Sequence, residues 1–401
     1  MKHKDLSVAI IGGGIGGLSA ALSFLRTGVD VQLYERARSI SEVGAGIAVS
    51  PNASRILYRL GLADALENMG VKTLAWHDRR WDDGRTLLRT PLAGAMEATF
   101  GFPLYHMHRA DLVNALARAL PPERLHTGHA LKTFVERGDH VEAEFENGAH
   151  IRVDALVGAD GIHSVVRQTL FGPEKPRFMG CIAYRGLVPA DRLAHLELEV
   201  TAQIWMGPGR HFVHYYVRNQ RLVNIVAVVE QDTWTKESWT DHGEVADVLA
   251  AYEGWHPQVL GIISAVDETF KGALFDRKPL PRWSVGRVTL LGDACHPMPP
   301  FRAQGAAQAI EDGATLAACL AGISAADLPA ALRRYETLRL ARTARVQGES
   351  EANKTRHHLA DGPAQRARDA GMARGGTDFS AEAIGWLYGH DAGSPEAALA
   401  T

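Results

Sequence analysis

Glycines in a fixed spacing near the N-terminus carry the clearest chemical information in the sequence. Gly12, Gly14 and Gly17 follow the apolar run at residues 8–11 in a G-x-G-x-x-G pattern, and a helix-like stretch comes after them. Because these positions lack side chains, backbone N–H groups can approach a pyrophosphate held at the helix N-terminus. The pattern therefore predicts that this turn binds a dinucleotide.

An acidic residue at the end of the next apolar run supports the same chemistry. Glu35 follows the strand-like residues 31–34, eighteen residues after Gly17, which suits contact with an adenosine ribose. A carboxylate there accepts the ribose 2′-hydroxyl and would repel a phosphate in its place. The neighbouring Arg36 is a further candidate for the same ligand. These residues together leave FAD and NAD as alternatives.

Two aspartates stand at the ends of later apolar runs. Asp160 follows residues 155–157 in a Gly-Ala-Asp-Gly turn, and Asp293 follows residues 288–291 in a Gly-Asp turn. Both runs are typical of strands that deliver an aspartate to the carboxyl edge of a parallel sheet, where such sheets bind ligands. We therefore expect all three segments to meet at one edge.

With these three motifs the chain resembles the single-component FAD-dependent aromatic hydroxylases, the superfamily of p-hydroxybenzoate hydroxylase, over about residues 5–345. The resemblance implies that the glycine turn holds the FAD pyrophosphate, that Asp160 lies near both cofactors, and that Asp293 holds the ribityl chain. It also implies the reaction. NADH or NADPH docks transiently and reduces FAD, and oxygen then forms a flavin C4a-hydroperoxide. This peroxide hydroxylates an electron-rich aromatic ring. Only one dinucleotide fingerprint follows a strand, which agrees with a nicotinamide that has no Rossmann domain of its own.

Finer similarities point to salicylate hydroxylase, 3-hydroxybenzoate 6-hydroxylase and 6-hydroxynicotinate 3-monooxygenase. By resemblance, the loop at residues 43–47 passes the flavin ring, with Gly46 and Ile47 as its candidates for contact. Arg109 matches the arginine that reaches FAD in this group. The alternative for Arg109 is a solvated charge at the start of a helix.

A proline-stiffened turn beginning at Pro297 runs into a predicted helix that extends through Leu320. Reduced flavin carries negative charge at its N1–C2 edge, and a helix N-terminus with free N–H groups stabilises such charge. Gly305 and Ala306 are the candidate donors.

Two histidines in one predicted strand compete for the role of general base. His211 and His214 are an odd number of residues apart, so their side chains face opposite sides of the sheet and only one lines the pocket. The resemblance favours His211, which aligns with the histidine placed beside the substrate hydroxyl in the 3-hydroxybenzoate and 6-hydroxynicotinate enzymes. The alternative is a hydrogen-bonded histidine of the sheet.

Departures from those relatives leave the substrate open. Ala48 stands where the 6-hydroxynicotinate enzymes carry a histidine, and Pro300 occupies the place of a glutamine in the 3-hydroxybenzoate enzymes. Arg302 could bind a substrate carboxylate bidentately, or it could be a surface charge. Further candidates for substrate contact, with core or surface positions as the alternative, are Tyr184, Arg185 and Trp205.

The fold class expected is α/β, or α+β overall: a Rossmann-like FAD-binding domain interleaved with a β-sheet substrate domain and followed by a helical segment. A chain of 401 residues is long enough for two domains. The predicted limits are 1–75, 100–175 and 282–345 for the FAD-binding domain, 76–99 and 176–281 for the β-rich substrate domain, and 346–401 for a C-terminal helical, partly mobile tail.

The charge and composition of the sequence argue against several classes of partner. A net charge of −3 gives no basic footprint for nucleic acid, and no apolar segment approaches the roughly 18 residues of a membrane-spanning helix. Three widely spaced cysteines fit reduced thiols in the cytoplasm, and the histidines show no metal-binding spacing. We expect a cytoplasmic enzyme without a metal, possibly a homodimer, whose partners are a small aromatic substrate, O2 and NAD(P)H.

The predicted activity is hydroxylation of a small phenolic or hydroxypyridine-type aromatic acid, in the manner of salicylate hydroxylase. One alternative keeps the scaffold but oxygenates or epoxidises a non-aromatic or polycyclic substrate. The other is a non-catalytic flavoprotein that senses redox state.

Overall fold

The computed structural model describes residues 6–40, 45–234, 241–375 and 381–393. Its strands are β1 (Ser7–Ile11), β2 (Asp30–Glu35), β3 (Gly46–Val49), β4 (Ala75–Arg80), β5 (Thr86–Pro91), β6 (Tyr105–His108), β7 (Leu125–Thr127), β8 (Leu131–Glu136), β9 (Val141–Phe145), β10 (His150–Val153), β11 (Ala155–Gly158), β12 (Arg177–Pro189), β13 (Ala202–Gly207), β14 (Arg210–Val217), β15 (Leu222–Glu230), β16 (Asp241–Gly243), β17 (Thr269–Asp276) and β18 (Val288–Leu290).

Its helices are α1 (Ile15–Arg26), α2 (Pro51–Arg59), α3 (Ala63–Met69), α4 (Ala95–Phe100), α5 (Arg109–Ala119), α6 (Val165–Phe171), α7 (Val245–Ala251), α8 (Pro257–Ser264), α9 (Gly305–Leu320), α10 (Leu328–His357), α11 (Pro363–Ala373) and α12 (Ala381–Tyr388). Short 3-10 turns lie at Pro122–Arg124, Ala190–Leu196, Gly292–Ala294 and Pro300–Arg302.

A parallel sheet with the strand order β18-β11-β1-β2-β7 forms the first layer. The carboxyl ends of β1, β11 and β18 meet at one edge, so the glycine turn, Asp160 and Asp293 converge there as predicted. Helices α1 and α9 pack against each other, and Gly313 permits their close approach because a Cβ there would lie 2.8 Å from the Cα atom of Ala20.

An eight-stranded sheet with the order β16-β17-β12-β15-β14-β13-β4-β5 forms the second layer. Its pairs are antiparallel except for β13 and β4, which are parallel. One face, which we call the outer face, packs its aromatic and aliphatic side chains against α7 and α8. The opposite inner face turns toward β3 and the turn before α9. This mixed α/β arrangement confirms the predicted fold class.

The apolar side chains of the described residues form separate clusters, and the predicted domain limits remain a proposal. The largest cluster collects the parallel sheet with α1, α5 and α9, and a second cluster lies between the outer face and α7 and α8. Helix α10 runs for 30 residues, so the limit proposed between residues 345 and 346 falls inside it. In the helical segment that follows, α12 buries Ile384 and Leu387 in a cluster with residues of α4.

No helix among the described residues is both long enough and apolar enough to cross a membrane.

Candidate active site

The glycine turn after β1 is shaped by backbone contacts at two positions and is open at the third. Gly12 has φ +114°, and a Cβ there would lie 2.3 Å from the carbonyl oxygen of Ala159. A Cβ on Gly17 would lie 1.9 Å from the carbonyl oxygen of Gly12, whereas a Cβ on Gly14 would meet no atom within 4 Å. The turn is therefore closed on its protein side and open toward a ligand at Gly14.

The carboxylate of Glu35 lies at this turn. Its Oε2 atom accepts a 2.6 Å hydrogen bond from the backbone N–H of Gly13, and Oε1 accepts one of 2.7 Å from Ala37. The side chain of Arg36 is exposed at the end of β2. The spacing from fingerprint to acid thus brings the carboxylate to the pyrophosphate turn, as a dinucleotide site requires.

Asp160 and Asp293 reach the same edge but differ in what surrounds them. Asp160 accepts hydrogen bonds from the hydroxyl of Ser164 (2.5 Å) and the backbone N–H groups of Val165 (2.7 Å) and Val166 (3.2 Å), so it stabilises the start of α6. Asp293 is open to solvent. The pKa of Asp293 is nevertheless raised above its usual value, because desolvation by the surrounding protein outweighs the opposing effects of His296 and Arg109. Asp293 is therefore available to a ligand, with Arg109 close by.

The N-terminus of α9 faces the same edge. Gly305 and Ala306 begin the helix and are half-buried, and their N–H groups have no acceptor within the helix. A Cβ on Gly305 would meet only the Met298 side chain, at 3.9 Å. The preceding turn is fixed because the carbonyl of Pro297 accepts a 3.0 Å hydrogen bond from the Gln347 amide on α10.

Beneath this helix lies a buried charge network that the sequence reasoning missed. Glu311 bonds to Arg339 at 2.5 Å and to Arg342 at 2.7 Å, while Asp312 bonds to Arg339 at 2.7 Å and to His296 at 2.5 Å. Burial alone would raise the pKa of Glu311, but the two arginines hold that pKa well below its usual range. An adjacent acid pair inside an otherwise apolar helix was the available signal. The network fixes the position of α9.

The loop expected at the flavin ring touches the inner face of the sheet. The backbone N–H of Gly46 donates a 2.6 Å hydrogen bond to Oδ1 of Asn224, and a Cβ on Gly46 would lie 2.6 Å from the Tyr215 hydroxyl. Ile47 packs against the cluster of the parallel sheet. Residues 43 and 44 of this loop lie outside the described residues. Asn224 and Tyr215 were not predicted as site residues.

His211 projects from the inner face toward the turn before α9. Its ring centroid lies 5.5 Å from that of Phe301, and its Nδ1 atom lies 2.7 Å from Nε2 of His358. Burial lowers the pKa of His211 well below its usual value, so the imidazole is neutral. His214 faces the outer side near Arg79, and burial lowers its pKa to about 3. Strand alternation thus separates the two histidines as predicted, while the role of His211 stays a prediction.

Two residues predicted to contact the substrate, Tyr184 and Trp205, lie on the outer face of the sheet, so this prediction is wrong. Trp205 is fully buried on the outer face, with the guanidinium of Arg79 4.3 Å from its ring centroid. Tyr184 packs in the same outer cluster, and the Lys271 ammonium lies 5.2 Å from its ring centroid. Each stands one position away from residues whose side chains point inward, so a shift of one residue along the strand decides the assignment.

The remaining three candidates are nearer to the predicted site. Arg185 shares the inner face, and burial together with the charge of Arg109 lowers its pKa to about 10. Pro300 is exposed in the turn before α9. Arg302 forms a 2.9 Å ion pair with Glu349 of α10, and only 9% of its side chain is exposed, so it is not a surface charge. That ion pair holds the turn to α10 and leaves less of the guanidinium for a substrate carboxylate.

His106, on β6 of the two-stranded β3–β6 sheet, packs against the inner face, and the sequence did not suggest it. It lies directly opposite Ala48 in the β3–β6 pair, and its ring centroid is 4.3 Å from that of Tyr215. Nδ1 lies 3.2 Å from the Thr73 hydroxyl, whereas Nε2 is buried and has no hydrogen-bond partner among the described residues. Burial lowers the pKa of His106 to about 3. The β6 strand thus supplies a neutral imidazole beside the position where Ala48 replaces the histidine of some relatives.

These features fit FAD. The glycine turn is open at Gly14, and Asp293 is exposed at the carboxyl edge of the parallel sheet. The first N–H groups of α9 are free to face the anionic edge of a flavin ring. The residues that would hold the flavin ring belong to the N-terminus of α9 and to the loop at Gly46, which is bonded to the inner face of the sheet.

The chain matches the FAD binding domain family over residues 5–350. It is 43% identical to a 3-amino-4-hydroxybenzoate 2-monooxygenase of Streptomyces platensis over 96% of each chain. It is 38% identical to a 6-hydroxynicotinate 3-monooxygenase of Pseudomonas fluorescens, covering 86% of this chain and 90% of the relative. A solved salicylate hydroxylase complex superimposes with a TM-score of 0.84 at 26% identity, covering 99% of this chain and 98% of the other. The resemblance found in the sequence is confirmed, and the chain belongs to the FAD-dependent aromatic monooxygenases.

Proposed function

We propose that this monooxygenase hydroxylates a small phenolic acid bound between the inner face of the eight-stranded sheet and the turn before α9. One observation carries the proposal: His211 is the inner-face histidine that contacts Phe301, four residues before the helix start at Gly305. A neutral imidazole in that position can take the phenolic proton of a ring that lies beside the flavin edge.

FAD, when bound and reduced by NADH or NADPH, supplies the activation of oxygen. The residues of the chain supply the rest. With FAD bound, the N–H groups of Gly305 and Ala306 would stabilise negative charge at the edge of the flavin ring, and the carboxylate of Asp293 would accept a hydrogen bond from a hydroxyl of the ribityl chain. His211 removes the phenolic proton, which makes the aromatic ring electron-rich. Phe301 and the surrounding apolar side chains keep water away from the reacting oxygen.

The first candidate substrate is 3-amino-4-hydroxybenzoate. Its support is the 43% identity, over 96% of both chains, to a relative named for that substrate. Ala48 lacks the imidazole that the 6-hydroxynicotinate enzymes carry at this place, whereas His106 offers an unpartnered Nε2 to a ring substituent. Arg185, on the inner face, is the candidate partner of the carboxylate.

The test is a panel of aromatic acids assayed for stimulated NAD(P)H oxidation, with product identification by mass spectrometry. The panel contains 3-amino-4-hydroxybenzoate, 3-hydroxybenzoate, salicylate and 6-hydroxynicotinate. Stimulation and a product heavier by one oxygen with the first compound would support the proposal. Stimulation only by another acid of the panel would show that this acid, and not 3-amino-4-hydroxybenzoate, is the substrate. Slow NAD(P)H oxidation that none of the four acids stimulates would refute the proposal that the enzyme hydroxylates small phenolic acids.

Two further properties stay proposals. A homodimer would be detected by size-exclusion chromatography with light scattering, and a cytoplasmic location by cell fractionation.

A further inference from the structure

We propose that Glu230 and His358 form a proton relay with His211. The relay holds His211 in the tautomer that can act as a base, and it carries the substrate proton to solvent. The inference rests on the proposed function, because it assumes that His211 accepts the phenolic proton. It adds two residues, neither of which touches the substrate.

The relay is an unbroken chain of hydrogen bonds from the inner face to the surface. Nδ1 of His211 lies 2.7 Å from Nε2 of His358, and Nδ1 of His358 lies 3.0 Å from Oε1 of Glu230. The two imidazoles are buried, whereas 45% of the Glu230 side chain is exposed. The chain therefore joins a buried base to water through two contacts.

The carboxylate determines which nitrogen of each ring carries a proton. An ionised Glu230 can only accept, so His358 donates from Nδ1 and its Nε2 must be an acceptor. His211 then donates from Nδ1, which leaves the lone pair on Nε2. That nitrogen makes no hydrogen bond to the described residues and is free for a substrate hydroxyl. A charge on the far side of the His358 ring thus selects the tautomer of His211 that can act as a base.

The same chain conducts the proton outward. Nε2 of His211 takes the phenolic proton while its Nδ1 proton passes to Nε2 of His358. The Nδ1 proton of His358 then passes to Glu230, which releases it to water. Each ring gains one proton and loses one. A return to the starting tautomers completes the cycle, and no oxidant or reductant is needed.

The outer end opens into a surface groove of about 450 Å³ whose lining includes Glu230, Glu351, Lys354 and His358. Water in this groove can receive the proton. The relay geometry is held by backbone contacts as well: the carbonyl of His358 accepts a 3.0 Å hydrogen bond from Gly209, in the turn between β13 and β14.

Other ionisable groups near the relay favour a neutral resting state. His357 lies 5.1 Å from His211 between ring centroids, and burial lowers the pKa of both rings. Burial lowers the pKa of His358, the hydrogen bond and charge of Glu230 raise it in part, and the charges of Lys354 and Arg210 lower it further. Cys181 is also near, in a group with Glu230 and His358 that could hold a metal. The ammonium of Lys354, 4.0 Å from Glu230, makes that cluster unfavourable for a cation, so we interpret it as a proton path.

The deciding variant is Glu230→Gln, because it keeps the size and exposure of the side chain but removes the negative charge and introduces an NH2 group, so that the side chain can donate as well as accept. Its matched control is Glu351→Gln, which removes another carboxylate of the same groove; Glu351 pairs with Arg177 at 2.9 Å. A further variant, His358→Gln, interrupts the path at its middle. FAD retention and the melting temperature establish that each variant is folded.

The first measurement requires no turnover: 15N NMR of the FAD-loaded protein with labelled histidine. Glu230→Gln should shift the resonances of both His358 and His211 toward a mixture of tautomers, whereas Glu351→Gln should leave them in place. If the His211 resonances of the Glu230→Gln variant match those of the Glu351→Gln control, the relay is refuted.

The second measurement follows proton release. FAD-loaded enzyme without NAD(P)H is mixed, in a weakly buffered indicator solution, with 3-amino-4-hydroxybenzoate or whichever panel acid stimulates the parent. Loss of a general base costs about 10²–10⁴-fold, and we expect Glu230→Gln and His358→Gln to slow release by about tenfold or more. Unchanged release in both variants would overturn the proton path. A parent protein that responds to no phenolic acid would refute the proposed function instead, and the NMR measurement would still decide the coupling of the rings.

Discussion

The backbone N–H of Gly46 donates a 2.6 Å hydrogen bond to the side-chain oxygen of Asn224, which lies 178 residues later in the chain. This bond joins the loop expected at the flavin ring to the inner face of the substrate sheet. At this close approach Gly46 has no room for a side chain, because a Cβ would lie 2.6 Å from the Tyr215 hydroxyl oxygen.

We therefore predict that Gly46→Ala moves this loop and weakens FAD binding by about tenfold, which corresponds to about 1.4 kcal/mol. Fluorescence titration of the apoprotein with FAD measures the effect. Gly371→Ala is the matched control, because a Cβ there would meet no atom within 4 Å. Equal loss of affinity in both variants would show that the contact with the sheet is unimportant.

Replacing His211 by Ala should uncouple the enzyme. Reduction of FAD by NAD(P)H persists, but hydroxylated product falls by about 10²–10⁴-fold in the step that needs the base, and hydrogen peroxide accumulates. Product and peroxide are quantified against NAD(P)H consumed. His214→Ala is the control, since its side chain faces Arg79 on the outer side. Uncoupling by His214→Ala alone would overturn the choice of base.

The two strand-end aspartates should separate into a cofactor residue and a structural residue. Asp293→Ala should weaken FAD binding by about tenfold to a hundredfold, since a hydrogen bond to a charged group contributes about 1.5–3 kcal/mol. Asp160→Ala should mainly lower the free energy of unfolding, by about 0.5–2 kcal/mol, because it removes the acceptor at the start of α6. FAD titration and chemical denaturation test the pair, and an unchanged FAD affinity in the Asp293 variant would contradict the assignment.

The network under α9 predicts a dependence of stability on acid pH. The pKa of Glu311 is depressed in the folded state because Arg339 and Arg342 outweigh its burial. Its contribution is therefore fully present above the unfolded pKa of about 4.3 and is lost as the pH falls from there through the depressed folded pKa. Chemical denaturation at a series of pH values measures this acid limb, which is the fall in the free energy of unfolding at low pH.

Arg339→Met should move that limb to higher pH, because burial then raises the pKa values of Glu311 and Asp312 without a full compensating charge. At neutral pH we expect a loss of about 3–5 kcal/mol in the free energy of unfolding, the usual result of removing one partner from a buried pair. A loss below about 1 kcal/mol, or an unchanged acid limb, would show that the network is not coupled to stability.

The sequence was sufficient for features that depend on short-range spacing. The glycine turn, Glu35, the strand-end aspartates and the start of α9 each follow from a local pattern, and these residues converge because parallel strands share a carboxyl edge. The odd spacing of His211 and His214 likewise determined that they face opposite sides of the sheet.

Features that depend on contacts between distant strands were not predictable in this way. Tyr184 and Trp205 were placed in the pocket although each lies one residue from an inward position, and nothing in a single strand distinguishes its two faces when both are apolar. Asn224 and His106 act through partners in other strands. The pairing of His358 with His211 needs the end of a 30-residue helix to meet the sheet.

Helix α12 is tied to the flavin-edge helix through a single side chain. Arg342 donates to the backbone carbonyls of Trp386 and Leu387, at 2.7 and 2.8 Å, while it also binds Glu311 of the flavin-edge helix. The docking of α12 and the position of α9 therefore depend on each other, although α12 lies far along the chain from the glycine turn. A chain that loses α12 should accordingly also lose affinity for flavin.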